Sequence, residues 1–239
     1  MKLQIQIAKY STAFVAAALV SVAAARADLI ISQTVSSPPG LGTFLVPDWS
    51  AFISIEKFNP ALGHLNSVVF SMTGLVQGSA QGENTSTSSG ADVKLTLASG
   101  LTLTRPGGGP ALVVATPLSI TLFSASVFDG VVDFAGTSGA TMSGLLGTKF
   151  NSANYASAAD LALFTGPGMI DLPLSAVGKS LATGGGSIIS LFDTEARGEV
   201  TVTYKYSSAA VPEPRVYGAV GALLCAGFAA LRRRRTKSS

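Results

Sequence analysis

The stretch Glu199-Val200-Thr201-Val202-Thr203-Tyr204-Lys205-Tyr206 decides the fold class. Val200, Val202, Tyr204 and Tyr206 alternate with Glu199, Thr201, Thr203 and Lys205. A two-residue period places one set on each face of a β-strand, whereas a helix would scatter both around its circumference. The same period recurs upstream. Ala51, Ile53 and Ile55 oppose Ser54 and Glu56, Val68, Phe70 and Met72 oppose Ser71 and Thr73, and Val93, Leu95 and Leu97 oppose Lys94 and Thr96. Leu118, Ile120 and Leu122 oppose Ser119 and Thr121, which predicts that these three aliphatic residues face the core. Turn signals punctuate the runs at Asn59-Pro60, Ser99-Gly100, Pro106 to Pro110, Asp129-Gly130 and Gly184-Gly185-Gly186. The polar run Gln81 to Gly90 reads as a long hairpin tip, and Ser157 to Leu163 as a short helix. The expected fold is all-β: an antiparallel β-sandwich, jelly-roll-like, with one buried and one wet face per sheet.

Of the 239 residues 47% are hydrophobic and 12% charged, a balance that excludes a disordered chain. The formal charge of +3 misleads, because nine of the 16 basic residues lie before position 28 or after position 210. Between Asp28 and Ala210 seven basic residues face twelve acidic ones, a net charge of −5. An acidic body lacks the electrostatic footprint of a nucleic-acid binder.

The two ends read as addresses. Residues 1–27 carry Lys2 and Lys9 ahead of an apolar stretch from Ser11 to Ala25, and close on Ala25-Arg26-Ala27, a small-x-small site for signal peptidase. Cleavage leaves Asp28 as the new N-terminus. Residues 211–239 open with Val211-Pro212-Glu213-Pro214, continue through the apolar stretch 216–231 and stop at Arg232-Arg233-Arg234-Arg235. Sixteen apolar residues fall just short of the roughly 17–25 of a spanning helix, and flanking arginines can snorkel to both interfaces. The arginine run predicts a cytoplasmic C-terminal end and a body on the outer side.

This tail resembles the PEP-CTERM sorting signal of Gram-negative bacteria, in which a Pro-Glu-Pro motif, a short apolar helix and an arginine cluster follow in that order. The resemblance implies an exosortase as partner, a membrane transpeptidase-like enzyme that cuts near the motif. Pro212, Glu213 and Pro214 are then substrate residues. The body, residues 28–210, resembles the choice-of-anchor E surface domain. The match runs through Lys57 to Gly63 with Leu65 to Val68, Phe128-Asp129-Gly130 with Asp133 to Gly139, Phe164-Thr165-Gly166, and the closing strand Val200 to Tyr206. It implies a surface-exposed β domain and no transferable activity.

Chemistry-bearing residues are sparse. Cys225, the single cysteine, lies in the apolar tail, so the body has neither a disulfide nor a thiol nucleophile. His64, the single histidine, cannot build a histidine metal cluster within one chain, and without an adjacent nucleophile motif it reads as a solvated turn residue. Asp129 and Asp133 flank a turn, and Asp193, Glu195 and Glu199 cluster before the last strand. Either set is a candidate for calcium or for paired-carboxylate hydrolysis, weighed against the plainer roles of turn former and solvated charge. Gly107-Gly108-Gly109 lacks the Lys-Ser/Thr of a phosphate loop. Trp49, Phe52 and Tyr155 are the aromatic candidates for stacking on a sugar, with Trp49 in phase with the buried face and Phe52 on the wet one.

The expectation is therefore an exported protein, not an enzyme and without a cofactor. As a precursor it is held in the inner membrane through residues 216–231, and it is then delivered to the cell surface or the surrounding polysaccharide. A secreted carbohydrate-binding or carbohydrate-active protein is the alternative. N-terminal sequencing of the exported protein should return Asp28 as the first residue; an intact Met1 there contradicts the signal reading.

Overall fold

The computed structural model describes residues 28–37 and 43–208, with positions 222 and 225. In order come β1 (Asp28–Ser37), β2 (Trp49–Glu56), β3 (Gly63–Asn84), β4 (Ala91–Thr104), β5 (Ala111–Ala115), β6 (Leu118–Ala125), β7 (Gly139–Tyr155), α1 (Ala158–Leu163), β8 (Met169–Gly178), β9 (Leu181–Gly184) and β10 (Ile188–Ser208). The strands form two antiparallel sheets. One has the order β1-β10-β3-β7; the other has β2-β8-β4-β5, with β6 and β9 also paired to β4. The all-β expectation holds. The signal segment, the sorting motif Val211 to Pro214, the apolar stretch and the arginines Arg232 to Arg235 lie outside the described residues, apart from Ala222 and Cys225. Among the described residues no helix is long and apolar enough to cross a membrane.

Alternation explains the core. Val68, Phe70 and Met72 of β3 and Val200, Val202 and Tyr204 of β10 point inward from the first sheet. They meet Ile53, Ile55, Leu101, Leu103, Leu172 and Leu174 from the second. A smaller cluster, Ala80, Ala91, Val93, Leu95 and Ala125, fills the far half. Between the two lies a close approach: Gly74 and Gly198 face each other across β3 and β10. A Cβ on Gly198 would stand 2.9 Å from a methyl of Leu101, and one on Gly74 3.1 Å from Ala115, Leu101 and Pro117.

Three readings change. Ser99-Gly100 is not a turn; it lies inside β4, which runs straight through while its neighbours change. On one side β6 gives way to β5, and on the other β9 gives way to β8. The breaks fall in the neighbours instead, at Thr116-Pro117 and Lys179-Ser180, where proline removes a ladder donor in the first case. The hairpin tip is shorter than Gln81 to Gly90: β3 continues to Asn84, with Glu83 and Asn84 fully buried. The loop 126–138 covers Glu83, whose Oε2 accepts from the Phe134 N–H at 2.8 Å. Asn84 donates to the carbonyls of Ser89 and Ser126, both at 2.8 Å, and so ties the tip down.

The third correction concerns Leu118, Ile120 and Leu122, which face solvent, Leu122 with 71% of its surface exposed. Alternation separates two faces and leaves open which is inside. Pairing with β4 sets Val93 opposite Phe123, Leu95 opposite Thr121 and Leu97 opposite Ser119, so the hydroxyl residues share the inward face with Phe123 and Ala125. Phe123 packs on the small core and Ala125 is buried. One aromatic ring, with its larger apolar area, fixes the parity of the strand.

The opposite margin is closed by side chains. The Gln33 amide of β1 donates to the Glu56 carbonyl at 2.7 Å and accepts from the Glu56 N–H at 2.9 Å, standing in for a strand neighbour of β2. Tyr204 donates to the same carbonyl at 2.7 Å, and burial pushes its hydroxyl up to about 12, which keeps it a donor. Ser157 caps α1 by accepting from the Asp160 N–H.

The inverted strand separates two otherwise similar leucines. Leu95→Ala should cost roughly 2–5 kcal/mol, while Leu122→Ser should stay within about 0.5 kcal/mol, both read from denaturant unfolding of the exported protein. Equal losses would contradict this placement of β6.

Candidate functional site

The outer face of β2 and β8 gathers an exposed polar and aromatic grouping. Along β2, Phe52, Ser54 and Glu56 point outward, opposite Pro173, Asp171 and Met169 of β8. Phe52 is 72% exposed, an aromatic ring presented broadly to solvent. Ser54 donates to the Asp171 carboxylate one register step along. The strand then runs into a cleft of about 520 Å³ lined by Glu56, Lys57, Asn59, Pro60 and the Gly166 to Met169 turn. Part of the Asn59 amide is already spent, its Oδ1 accepting from the Ala61 N–H at 3.0 Å. The arrangement offers a ring face, two carboxylates and an ammonium group in sequence along one surface.

The other aromatic candidates are placed differently. Trp49 is half-buried against the main core, on the inward side of β2 and opposite Ala176. Tyr155 closes β7 and is also built in. Its hydroxyl donates to the Leu112 carbonyl at 2.5 Å, the Arg105 guanidinium sits 5.1 Å from its ring centre, and Phe70 meets it edge-on at 6.0 Å.

The carboxylate candidates do not converge. Asp129 and Asp133 lie in the loop between β6 and β7, and each accepts from the N–H two residues on, Val131 and Ala135, at 3.0 Å. These are Asx turns, in which the side chain substitutes for a backbone acceptor. Asp193, Glu195 and Glu199 line the outer face of β10, with Glu195 accepting from Gln77 at 2.8 Å. Among the described residues no group of three His, Cys, Asp or Glu side chains could hold a metal ion. His64 is exposed at the start of β3, on the rim of a cleft shared with α1. Cys225 is exposed.

Two groups escaped the sequence reading. Asp171 stands between Ile170 and Leu172, and its meeting with Ser54 exists only through the pairing of β2 with β8. Asp160 forms the ion pair with Arg105, at 2.6 Å, that ties α1 to the end of β4. The Arg105 hydrogen bond, then that from Ser157, holds the Asp160 carboxyl below its ordinary 3.8 against a smaller opposing effect of burial.

No family model matches this chain, and no curated protein matches it. Among solved structures it is similar to the structure of infectious bursal disease virus Gx strain at 13% identity, covering 79% of this chain and 40% of that one. The TM-score of 0.12 is too low to carry an argument about fold or function.

The lowered Asp160 value fixes a sign. A carboxyl depressed on folding stabilises the protein above its unfolded value and loses that contribution as pH falls through the folded one. Asp160→Asn should therefore melt below wild type at neutral pH, and the gap should close as pH drops below 3.8. A gap independent of pH would assign the loss to geometry instead of charge.

Proposed function

We propose that this is an exported structural or adhesive protein of the cell surface or extracellular matrix, processed at its C-terminus by an exosortase. The observation that supports it is the order of Pro212-Glu213-Pro214, the apolar stretch 216–231 and Arg232 to Arg235, with Val211 three residues beyond the end of β10 at Ser208. The fold is in keeping with this. Asp28, the residue after the proposed signal cleavage, opens β1 and pairs with Ser207, so the described body begins and ends at one of its ends. We assign the body to the jelly-roll class. Counting β5 with β6 and β8 with β9 as single interrupted strands, the first sheet takes strands 1, 8, 3 and 6 and the second takes 2, 7, 4 and 5, the order of that fold. On this reading residues 1–27 are a cleaved signal helix, 216–231 a transmembrane helix of the precursor, and catalysis plays no part.

A second reading, a secreted carbohydrate-binding protein, is favoured by Phe52. Sugars are held by stacking of their apolar faces on an exposed ring, with carboxylates bonding the hydroxyls, and Phe52, Asp171 and Glu56 supply both along one strand pair. Binding on a glycan array that vanishes in a still-folded Phe52→Ala variant would establish it.

Replacing Pro212, Glu213 and Pro214 with alanines should leave membrane insertion intact and block processing, so that a larger precursor accumulates in the inner membrane. Neutralising Arg232 to Arg235 should instead impair retention or orientation of the uncut chain. Wild-type cutting and delivery of the triple-alanine variant would leave 216–231 as a plain anchor and end the sorting reading.

A further inference from the structure

We propose that the protein pairs with a second copy of itself edge to edge through residues 188–192 of β10, with a two-fold axis at Ser190. β1 covers the outer edge of β10 only from Gly198 to Ser207. Leu45 then adds one bridge at Ala196, exchanging N–H to O contacts of 3.2 and 2.8 Å. The chain next crosses to the second sheet, where the Asp48 N–H bonds the Ala176 carbonyl. Backbone groups of an antiparallel strand alternate sides with a period of two. Since Ala196 aims both of its groups at Leu45, Phe192, Ser190 and Ile188 aim theirs at the same edge. Among the described residues nothing meets them there.

That edge borders a groove of about 360 Å³ whose walls include Val46, Ser180, Leu191 and Phe192. A bare edge is ordinarily guarded by a charge, a proline or a bulge, because it templates pairing. Here the five residues of the strand itself read Ile-Ile-Ser-Leu-Phe, with Asp193 the next charge along the sequence, and Pro47 and Asp48 stand across the groove on the side of the second sheet. Ile189 and Leu191 are 45% and 57% exposed on the outer face, while Ile188 and Phe192 are half-buried on the inner one.

The occupant follows from this pattern. Unpaired peptide groups spaced along an extended strand are met by another extended peptide, which sugars and lipids cannot mimic. Antiparallel pairing about Ser190 sets Ile188 against Phe192 of the second copy on the inner face and Ile189 against its Leu191 on the outer. Ser190 meets Ser190. Every N–H and C=O of Ile188, Ser190 and Phe192 then finds its counterpart, and each exposed aliphatic residue gains an aliphatic neighbour. An unrelated peptide ligand has no need of a sequence symmetric in character about its centre; an isologous interface does. The result joins two four-stranded sheets into one continuous sheet across the dimer.

The test uses the full-length chain with Cys225→Ser, solubilised in mild detergent, so that it is independent of whether the tail is processed. Sedimentation equilibrium should give a dimer. Ser190→Pro removes an N–H that has no partner among the described residues, so it should raise the dimer dissociation constant at least tenfold and leave the circular dichroism unchanged. Under mild oxidation Ser190→Cys should yield a disulfide-linked dimer, because only a residue on the axis meets itself, and Asp193→Cys should not. A monomeric parent chain, a dimer indifferent to Ser190→Pro, or equal cross-linking at both positions would overturn the proposal. So would a monomer that takes up a foreign peptide along this edge. Should Ser190→Pro fail to fold, the two cysteine variants decide alone.

Discussion

The pairing of β10 with β3 along all of Ile188–Ser208 is the constraint from which the other elements take their places. Both strands run the length of the molecule, so a single register fixes which residues face inward in both cores at once. A shift of one residue would send Val200, Val202 and Tyr204 to solvent and bring Glu199, Thr201 and Lys205 into the apolar layer. Tyr204 adds a second lock. Its hydroxyl reaches across to the Glu56 carbonyl, and the Gln33 amide holds both backbone groups of the same residue, so the register of the first sheet also sets the margin of the second.

The facing glycines 74 and 198 explain why one long layer serves two cores. With no side chain on either, the second sheet presses in at Leu101 and Pro117, and the packing divides there. The second sheet answers with interruptions at nearby levels: Pro117 separates β5 from β6, and the Lys179-Ser180 step separates β8 from β9. A side chain at Gly198 would have to displace Leu101, which is fully buried, so the cost would fall on the centre of the main core. The waist also leaves the far half of β10 without β1, since the chain crosses between sheets just past Leu45.

Much of this was legible as alternation. The runs at Ala51 to Glu56, Val68 to Thr73, Val93 to Leu97 and Glu199 to Tyr206 take the parity that their apolar residues ask for. Leu118, Ile120 and Leu122 do not, because a strand's parity is set by its best-packed member, and Phe123 outweighed three aliphatic residues. Ser99-Gly100 misled for a related reason: a small-residue pair marks a place where something must change, and here the neighbours change instead of the strand. Among the aromatic candidates, phase alone separated Trp49 from Phe52. The Ser54 to Asp171 contact was invisible to sequence, since it joins residues whose adjacency exists only once β2 lies beside β8.

Position within the body distinguishes the surfaces that remain open. The cleft around Glu56 and Asn59 lies at the end where Gly63 pairs with Ser208. The Ser190 edge lies 18 residues back along β10, roughly 60 Å away at the rise of a strand. A tether over residues 209–215 spans at most about 25 Å. On the proposed sorting reading the tether therefore keeps the Ser208 end, with the cleft, near the bilayer and leaves the β10 edge at the opposite end of the body. The long β3–β10 ladder thus does more than carry the core: on the two proposals taken together, its length separates the edge that would pair with a second copy from the end at which the precursor would be held.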